Sequence, residues 1–535
     1  MSNLRKFLGN ATLMALSALA MRSIAVSFSI YVSSKAGAEA MGLFSLIMSV
    51  FGFALTVATS GIGLAVTRTV SEAASLGDMG LARKYMKKCT LLCLIFGCGA
   101  AAVLFAFAKP IGEKILGDPR TVYPLMILAP SLPFISLTTA YGGYFTAVKR
   151  VYKSAIYQVL EQLIKIGFTV WFFLLFLDRG AGFACIALVG ADVISEISSC
   201  LIALLLFKTD RSLPGKGLSP LPSSTVMRQI CAIALPVALG TYVRSGLLTI
   251  EHILIPRNLR KSGLSQDMAL SGYGMVHSMA FPAVLYPTAI LSAFGSLLIP
   301  ELAASAVRGE KRHVRYVTVR ALQFSLIFSM GAAAIMLCFS GELGRLLYDS
   351  DEVASYIRQI APLIPIMYLD GVTDSILKGL GEQVFTMNVN ILDTLLSVIL
   401  VIFLLPNMGI SGYILMVYIT ELINFTLSFM RLLDVTKIKL PIGRLVISPL
   451  LSALGAVALS RLAITLLHPP FSVRMQVILC SILAVFVYLV FVRLTGVIDR
   501  EDMKWLRGIF KGERKQKPME EKTTSRRIYA QENHA

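Results

Sequence analysis

The sequence predicts an all-helical polytopic membrane protein with about fourteen transmembrane helices, arranged as two pseudo-symmetric six-helix lobes and two further C-terminal helices. Three observations predict it. Hydrophobic residues make up 56% of the 535 and charged residues 15%, where a soluble domain carries about 25% charged residues. Apolar runs of about 20 residues, long enough to cross a bilayer as a helix, recur from one end to the other. The chain also repeats itself. Ala129-Pro130-Ser131-Leu132-Pro133 returns as Ala361-Pro362-Leu363-Ile364-Pro365, 232 positions later, and the same offset carries Gly42 onto Gly274, Gly77 onto Gly309, Arg83 onto Arg315, Gln158 onto Asn390 and Glu161 onto Asp393.

The apolar runs are 11–33, 41–66, 89–108, 121–148, 155–177, 183–207, 229–256, 270–299, 319–339, 353–378, 384–405, 411–432, 441–464 and 472–495. Several exceed the thickness of a bilayer, so tilt or protrusion is expected. Arg5, Lys6 and the Ala18-Leu19-Ala20 triplet imitate a cleavable signal. The apolar run continues past them to Tyr31, and the repeat needs this helix as partner to 229–256, so a retained first span is expected.

Basic residues gather in the N-terminal segment, the even-numbered loops and the tail, and are sparser in the odd-numbered loops. By the positive-inside rule both termini are cytoplasmic. The same distribution accounts for the net charge of +19 and argues against nucleic acid as a partner. Six spans per copy place both copies in one orientation, related by an axis along the membrane normal, an arrangement typical of transporters.

The domain reading is an N-lobe over 1–210, a cytoplasmic linker over 211–228, a C-lobe over 229–435, the extra pair over 436–497 and a cytoplasmic tail over 498–535. The linker is rich in Pro, Gly and Ser, which lets two rigid lobes rock. At the first helix the offset is 222, carrying Arg22 onto Arg244, and by Gly42 it is 232. The second copy therefore has about ten extra residues in the outward loop after its first span. In the tail, Met503, Leu506, Ile509 and Phe510 share one helical face among lysines and arginines, the pattern of a short helix on an anionic leaflet. A solvated tail without function fits equally well.

The eight cysteines lie in or beside apolar runs without a C-x-x-C pair, and the five histidines are scattered. Small buried hydrophobes are expected rather than disulfides or a metal site. No GxxxxGK[ST] loop occurs, so the chain carries no ATP motor of its own, and no enzymatic constellation stands out. Asp349-Ser350-Asp351 imitates the acidic triplet of sugar-nucleotide transferases, but it falls in an outward loop, away from cytoplasmic nucleotides.

Charges inside spans are costly and functional by default. Arg22 and Arg244 lie in equivalent helices and lead the candidates. Arginine stays charged and grips phosphate oxygens with a planar fork, so two of them on opposite walls of a cavity suit a diphosphate. A structural ion pair to another helix is the competing reading, and Glu251, two turns from Arg244, could compensate it. Glu161 and Lys165 share a helix face with Gln158; they pair with each other or line a cavity. Their counterparts are Asp393, Ser397 and Asn390. Asp393 has no such local partner and is the candidate for sodium or proton coupling. Asp370, Asp374 and Lys378 lie on one face of the tenth span, with Asp374 and Lys378 four apart as an ordinary pair. Asp192, Glu196 and Glu421 read as ties between helices. His252 and His277 complete the polar positions near the cavity. Pro236, Pro282 and Pro287 lie within spans, where proline kinks or breaks a helix at a cavity or is tolerated as in an ordinary span, two readings of equal weight.

With these residues assembled, the pattern resembles the multidrug/oligosaccharidyl-lipid/polysaccharide exporter superfamily. Residues 250–305 look like its stage V sporulation protein B branch, through Ile253–Arg257, Gly272–Gly274 and Leu298–Glu301; GIGLAVTRTVSEA at 61–73 fits the same branch. The resemblance covers roughly 1–495. It implies a monomeric flippase of undecaprenyl-diphosphate-linked saccharides in the bacterial cytoplasmic membrane, serving cell wall, spore cortex or surface polysaccharide. It implies alternating access among membrane lipids, with no cofactor beyond a coupling Na+ or H+. The related MurJ-type lipid II flippases use cavity arginines in the first helix, which Arg22 matches approximately, and in the eighth, where this chain has His277 instead. The alternatives are a cation-coupled multidrug antiporter and a non-transporting scaffold of envelope or spore assembly.

Overall fold

The computed structural model describes residues 2–75, 78–210, 222–438, 446–467 and 473–495. Among them there are helices and turns but no strand. The first half contains α1 (Ser2–Thr59), α2 (Ile62–Ser75), α3 (Met79–Pro110), α4 (Val122–Leu128), α5 (Leu132–Ala147), α6 (Val151–Phe176) and α7 (Ala181–Lys208). The second contains α8 (Ser223–Lys261), α9 (Gln266–Gly274), α10 (Phe281–Leu285), α11 (Thr288–Val307), α12 (Lys311–Cys338), α13 (Ser340–Tyr348), α14 (Asp351–Ile360), α15 (Ile364–Gly379) and α16 (Gln383–Thr436). α17 (Ser448–Leu467) and α18 (Val473–Leu494) are the last of the described helices.

Ten helical segments are long and apolar enough to cross a membrane. Two of these, Ser23–Ala74 and Gln383–Thr436, are folded double. α1 bends at Gly37 (φ 82°) and α16 at Gly409 (φ 58°), conformations that suit glycine because a Cβ would clash. Counting each arm, and adding the shorter apolar stretches Ser448–Leu462 and Ser481–Leu494, restores the fourteen spans read from the sequence. The chain is a multi-pass membrane protein.

Repeated sequence produces repeated local structure. Ala129–Ser131 and Ala361–Leu363 each form a 3-10 turn, with Pro130 and Pro362 supplying a φ suited to its start. Each turn opens a 16-residue helix, α5 and α15.

The span expected at 270–299 is corrected in detail. It is broken into α9, a π-helical turn Met275–Ala280, α10 and α11. Pro282 has no N–H for the Ser278 carbonyl, and Ser33 Oγ donates to that carbonyl at 3.2 Å instead. Around the same breaks Tyr348 donates to the Met279 carbonyl at 2.9 Å and Tyr368 to that of Val284 at 2.6 Å. The backbone groups that proline and the π-turn release are thus satisfied by neighbouring helices.

The first half packs around Tyr144, Phe145 and Leu125, and the second around Tyr273, Phe294 and Tyr368, all fully buried. α17 and α18 pack on α12, where Tyr488 donates to the Ile327 carbonyl at 2.7 Å. The described cysteines are free thiols. Residues 211–221 of the linker, Gly77 and the tail face of Met503, Leu506, Ile509 and Phe510 lie outside the described residues.

Candidate functional site

Helix α8 is the wall between the halves. One face of it follows α1: Thr241 donates to Ser60 Oγ at 2.9 Å, Ser245 and Thr56 hydroxyls lie 3.0 Å apart, and Thr249 donates to the Ser49 carbonyl at 3.0 Å. Small polar side chains let the two backbones approach closely, and Gly61 rests directly against the Ala234 carbonyl. The adjoining face of α8 meets α16 along much of its length.

Arg244 sits on that second face. Its guanidinium is exposed, and its hydrogen bond is a long one, 3.4 Å, to the neutral Asn390 side chain. Asp393, one turn further along α16, is close enough to attract it. The expected compensation by Glu251 is corrected: Glu251 turns to α16, where it faces Asp393 and Ser397. On an α-helix seven residues advance the direction by about 700°, leaving the two side chains roughly aligned but about 10 Å apart along the axis, so each meets a different part of α16.

Asp370 on α15 joins the same region. It faces Asp374, Asp393 and Lys378, and its Oδ1 is buried without a hydrogen-bond partner among the described residues. Glu421, on the second arm of α16, faces Asp370, Asp393 and Asp374. Lys378 donates to Asp374 at 3.2 Å, the i,i+4 pair read from the sequence. Asp370, Asp374, Asp393 and Glu421 thus share one region, with Glu251 and Arg244 each near Asp393 and Lys378 near Asp374, and among these described residues carboxylates outnumber cations.

His252 and His277 form a separate cluster on the flank of Glu251. Tyr273 Oη lies 2.9 Å from His252 Nδ1, Tyr413 Oη lies 3.4 Å from His277 Nδ1, and the imidazole centroids are 4.7 Å apart. Among the described residues no grouping of His, Cys, Asp and Glu has metal-holding geometry.

In the first half the corresponding charges close on one another. Lys165 does not pair with Glu161, as its spacing allowed. It reaches Asp192 on α7 at 2.6 Å, while Glu161 accepts from Ser199 at 2.6 Å. Glu196 faces Glu161, Asp192 and Lys165. Asp192 therefore ties α6 to α7, as its position in the sequence indicated. Arg22 lies on the first arm of α1, and its side chain is outside the described residues.

Sequence reading missed a polar seam at the Gly37 end of the bundle. Arg120 donates to Glu39 at 2.6 Å and to Asp118 at 2.7 Å, and across to Asp267 of the second half at 2.9 Å. Gln266 donates to the Gly117 carbonyl at 3.2 Å, and Arg257 to that of Lys114. The partners lie in segments far apart in sequence, and pattern within one segment cannot reveal that they meet. Gln266 and Asp267 belong to the loop that the second copy has gained.

The profile of the polysaccharide biosynthesis protein family matches residues 7–300, more than half of the chain. The chain belongs to this family. The MatE profile matches residues 260–403. Stage V sporulation protein B of Bacillus subtilis (strain 168) is 24% identical over 381 residues, covering 70% of this chain and 74% of that protein. Lipid II flippase MurJ of the same organism is 24% identical over 419 residues, covering 73% and 75%. Among solved structures, lipid II flippase MurJ in an inward closed conformation superposes with a TM-score of 0.65 at 14% identity, over 91% of this chain and 98% of that one. An inward-facing multidrug resistance MATE transporter of the MOP superfamily superposes with a TM-score of 0.60 at 15% identity, over 79% and 99%. At such identities the superpositions show a shared fold, and that fold is the one the sequence predicts.

Proposed function

We propose that the protein flips undecaprenyl-diphosphate-linked saccharides across a bacterial cytoplasmic membrane by alternating access, with both termini in the cytoplasm. The observation that carries this reading is Arg244. It lies in a membrane-spanning helix at the wall between the halves, and among the described residues its hydrogen bond is a long one to a neutral amide, with the Asp393 carboxylate nearby. An arginine so placed is available to the two charged oxygens of a phosphate. Membership of a polysaccharide biosynthesis family and similarity to a protein named for lipid II flipping support the cargo class. Arg22 supplies the equivalent charge in the first half. Asp393, beside Arg244, and Glu251, beside Asp393, are the groups through which a sodium ion or proton resets the carrier.

A second reading, a cation-coupled multidrug antiporter, is favoured by the excess of carboxylates around Asp370 and by the MatE match over that half. Reconstitution separates the two. Vesicles containing the protein should move a labelled undecaprenyl-diphospho-saccharide between leaflets. Arg244→Ala should slow this about tenfold to a hundredfold, the worth of one or two charge-assisted hydrogen bonds, and Arg22→Ala should also slow it. Unchanged rates in both variants remove the arginine assignment. Efflux of a cationic dye without lipid flipping establishes the antiporter instead.

A further inference from the structure

The last two turns of α8 hold a basic pocket that the proposed flipping mechanism does not use. It is open, has a volume of about 500 Å³, and is lined by Leu254, Arg257, Asn258, Arg260 and Lys261. That volume lies within the usual span of small-molecule sites, about 300–1,000 Å³.

None of its three cations pairs with a carboxylate among the described residues. Arg257 donates to the Lys114 backbone carbonyl of the first half. Arg260 lies over Gly117: a Cβ built there would come within 3.0 Å of Nη2, and Gly117 has a φ of +72°, so the turn brings bare backbone up to the guanidinium. The nearby acids are committed elsewhere, since Glu39, Asp118 and Asp267 all bind Arg120. Three like charges on successive turns repel one another unless an anion lies between them.

Asn258 adds an independent sign. It is 1% exposed, its Nδ2 donates to the Leu254 carbonyl at 3.0 Å, and its Oδ1 has no partner among the described residues. A buried idle acceptor calls for a donor, and a hydroxyl supplies one. Leu254 offers an apolar wall on the bilayer side. The pocket lies where the apolar part of α8 ends, at the level where lipid head groups sit.

We infer that this pocket is a binding site for the phosphate head group of a lipid that also bears hydroxyls, held at the junction of the two halves. Arg260 and Arg257 present forks to phosphate oxygens, Lys261 adds charge, and Asn258 accepts from a glycerol or sugar hydroxyl. Clustered guanidinium and ammonium groups recognise phosphate oxygens in this way. Two sources share this chemistry: a resident glycerophospholipid and a prenyl diphosphate saccharide. The site does not depend on which of them the protein transports.

Native mass spectrometry of the full-length chain in detergent tests the inference with three probes: phosphatidylglycerol, undecaprenyl-diphospho-saccharide and phosphate-free diacylglycerol. The wild type should retain a phosphate lipid in preference to diacylglycerol. Arg257→Gln/Arg260→Gln/Lys261→Gln should bind it about tenfold more weakly or worse, since charged contacts to phosphate dominate such sites. Lys311→Gln, an exposed charge elsewhere, should bind as wild type. Should the triple variant not fold, the single variants Arg260→Gln and Lys261→Gln carry the comparison, each weaker than wild type. Preference for the prenyl diphosphate marks the pocket as a station for cargo; equal or stronger binding of phosphatidylglycerol marks a resident lipid. Undiminished phosphate-lipid binding by the folded variants, or no preference of the wild type over diacylglycerol, overturns the site.

Discussion

Gly42 and Gly274 occupy equivalent positions in the two copies of the repeat, and they touch. A Cβ built on Gly42 would fall 2.0 Å from the Leu270 carbonyl oxygen, and one built on Gly274 would fall 2.0 Å from that of Ala38. Ala38 and Leu270 are themselves related by the offset of 232. The contact is therefore reciprocal, each copy meeting the other as it is met, as at a two-fold interface. The pseudo-symmetry axis passes between these glycines.

Neither glycine tolerates a methyl group without separating the backbones. Gly42→Ala and Gly274→Ala should each cost about 1–3 kcal/mol, the range for overpacking a filled interface. Thermal unfolding in detergent reads this as a lowered Tm. Wild-type Tm in both variants contradicts the close approach.

Arg120 binds carboxylates from both halves, and Asp118 is the most enclosed, its side chain 3% exposed. Burial opposes the charge on Asp118, and hydrogen bonds from the Arg120 side chain and backbone outweigh it, holding the carboxyl below its usual value. A lowered native value means that the contribution is complete above about pH 4 and fades as pH falls through the native value. Arg120→Gln should cost about 3 kcal/mol at neutral pH, the low end for stranding an enclosed charge, since Arg120 is itself partly exposed. The gap to wild type should narrow below about pH 4. A pH-independent gap in denaturation midpoints contradicts the assignment.

Lys165 and Asp192 form the tie between α6 and α7. Lys165→Met leaves Asp192 facing Glu161 and Glu196, whereas Lys165→Met/Asp192→Asn removes both partners. A double-mutant cycle should give a coupling of about 1–3 kcal/mol, within the range for residues in direct contact. Additive effects on unfolding free energy would show that the pair contributes nothing.

Asp393→Asn keeps the shape of the side chain and removes its charge. Flipping in reconstituted vesicles should fall about tenfold or more and lose its response to an imposed sodium or proton gradient, as expected of a group whose cation supplies the driving force. A variant that keeps its full gradient response excludes Asp393 from coupling.

Features set by composition and local pattern were legible in the sequence: the spans, the duplication, the Asp374–Lys378 pair and the helix breaks near Pro282 and Pro287. So were the charges of the candidate site, because a single arginine or aspartate stands out in hydrocarbon. Their partners were harder to read. Lys165 had Glu161 within reach on its own helix and took Asp192 on the next; Arg244 had Glu251 and reached Asn390. Within a bundle, side-chain direction and neighbouring helices decide between such options. The Arg120 seam joins residues far apart in sequence, and so do the contacts of Arg257 with Lys114 and of Arg260 with Gly117 beside the pocket.

The last two helices stand outside the repeat and pack on α12, with the Tyr488 ring against Gly331 and its hydroxyl on the Ile327 carbonyl. Among the described residues they pack on α12 and α13 of the second half. In the proposed alternating-access cycle that makes them a flag on one of the two halves. A fluorophore on the lipid-facing side of α18, at Phe486 for example, which is 65% exposed, tracks that half against a marker on α6 and leaves the charged interior untouched.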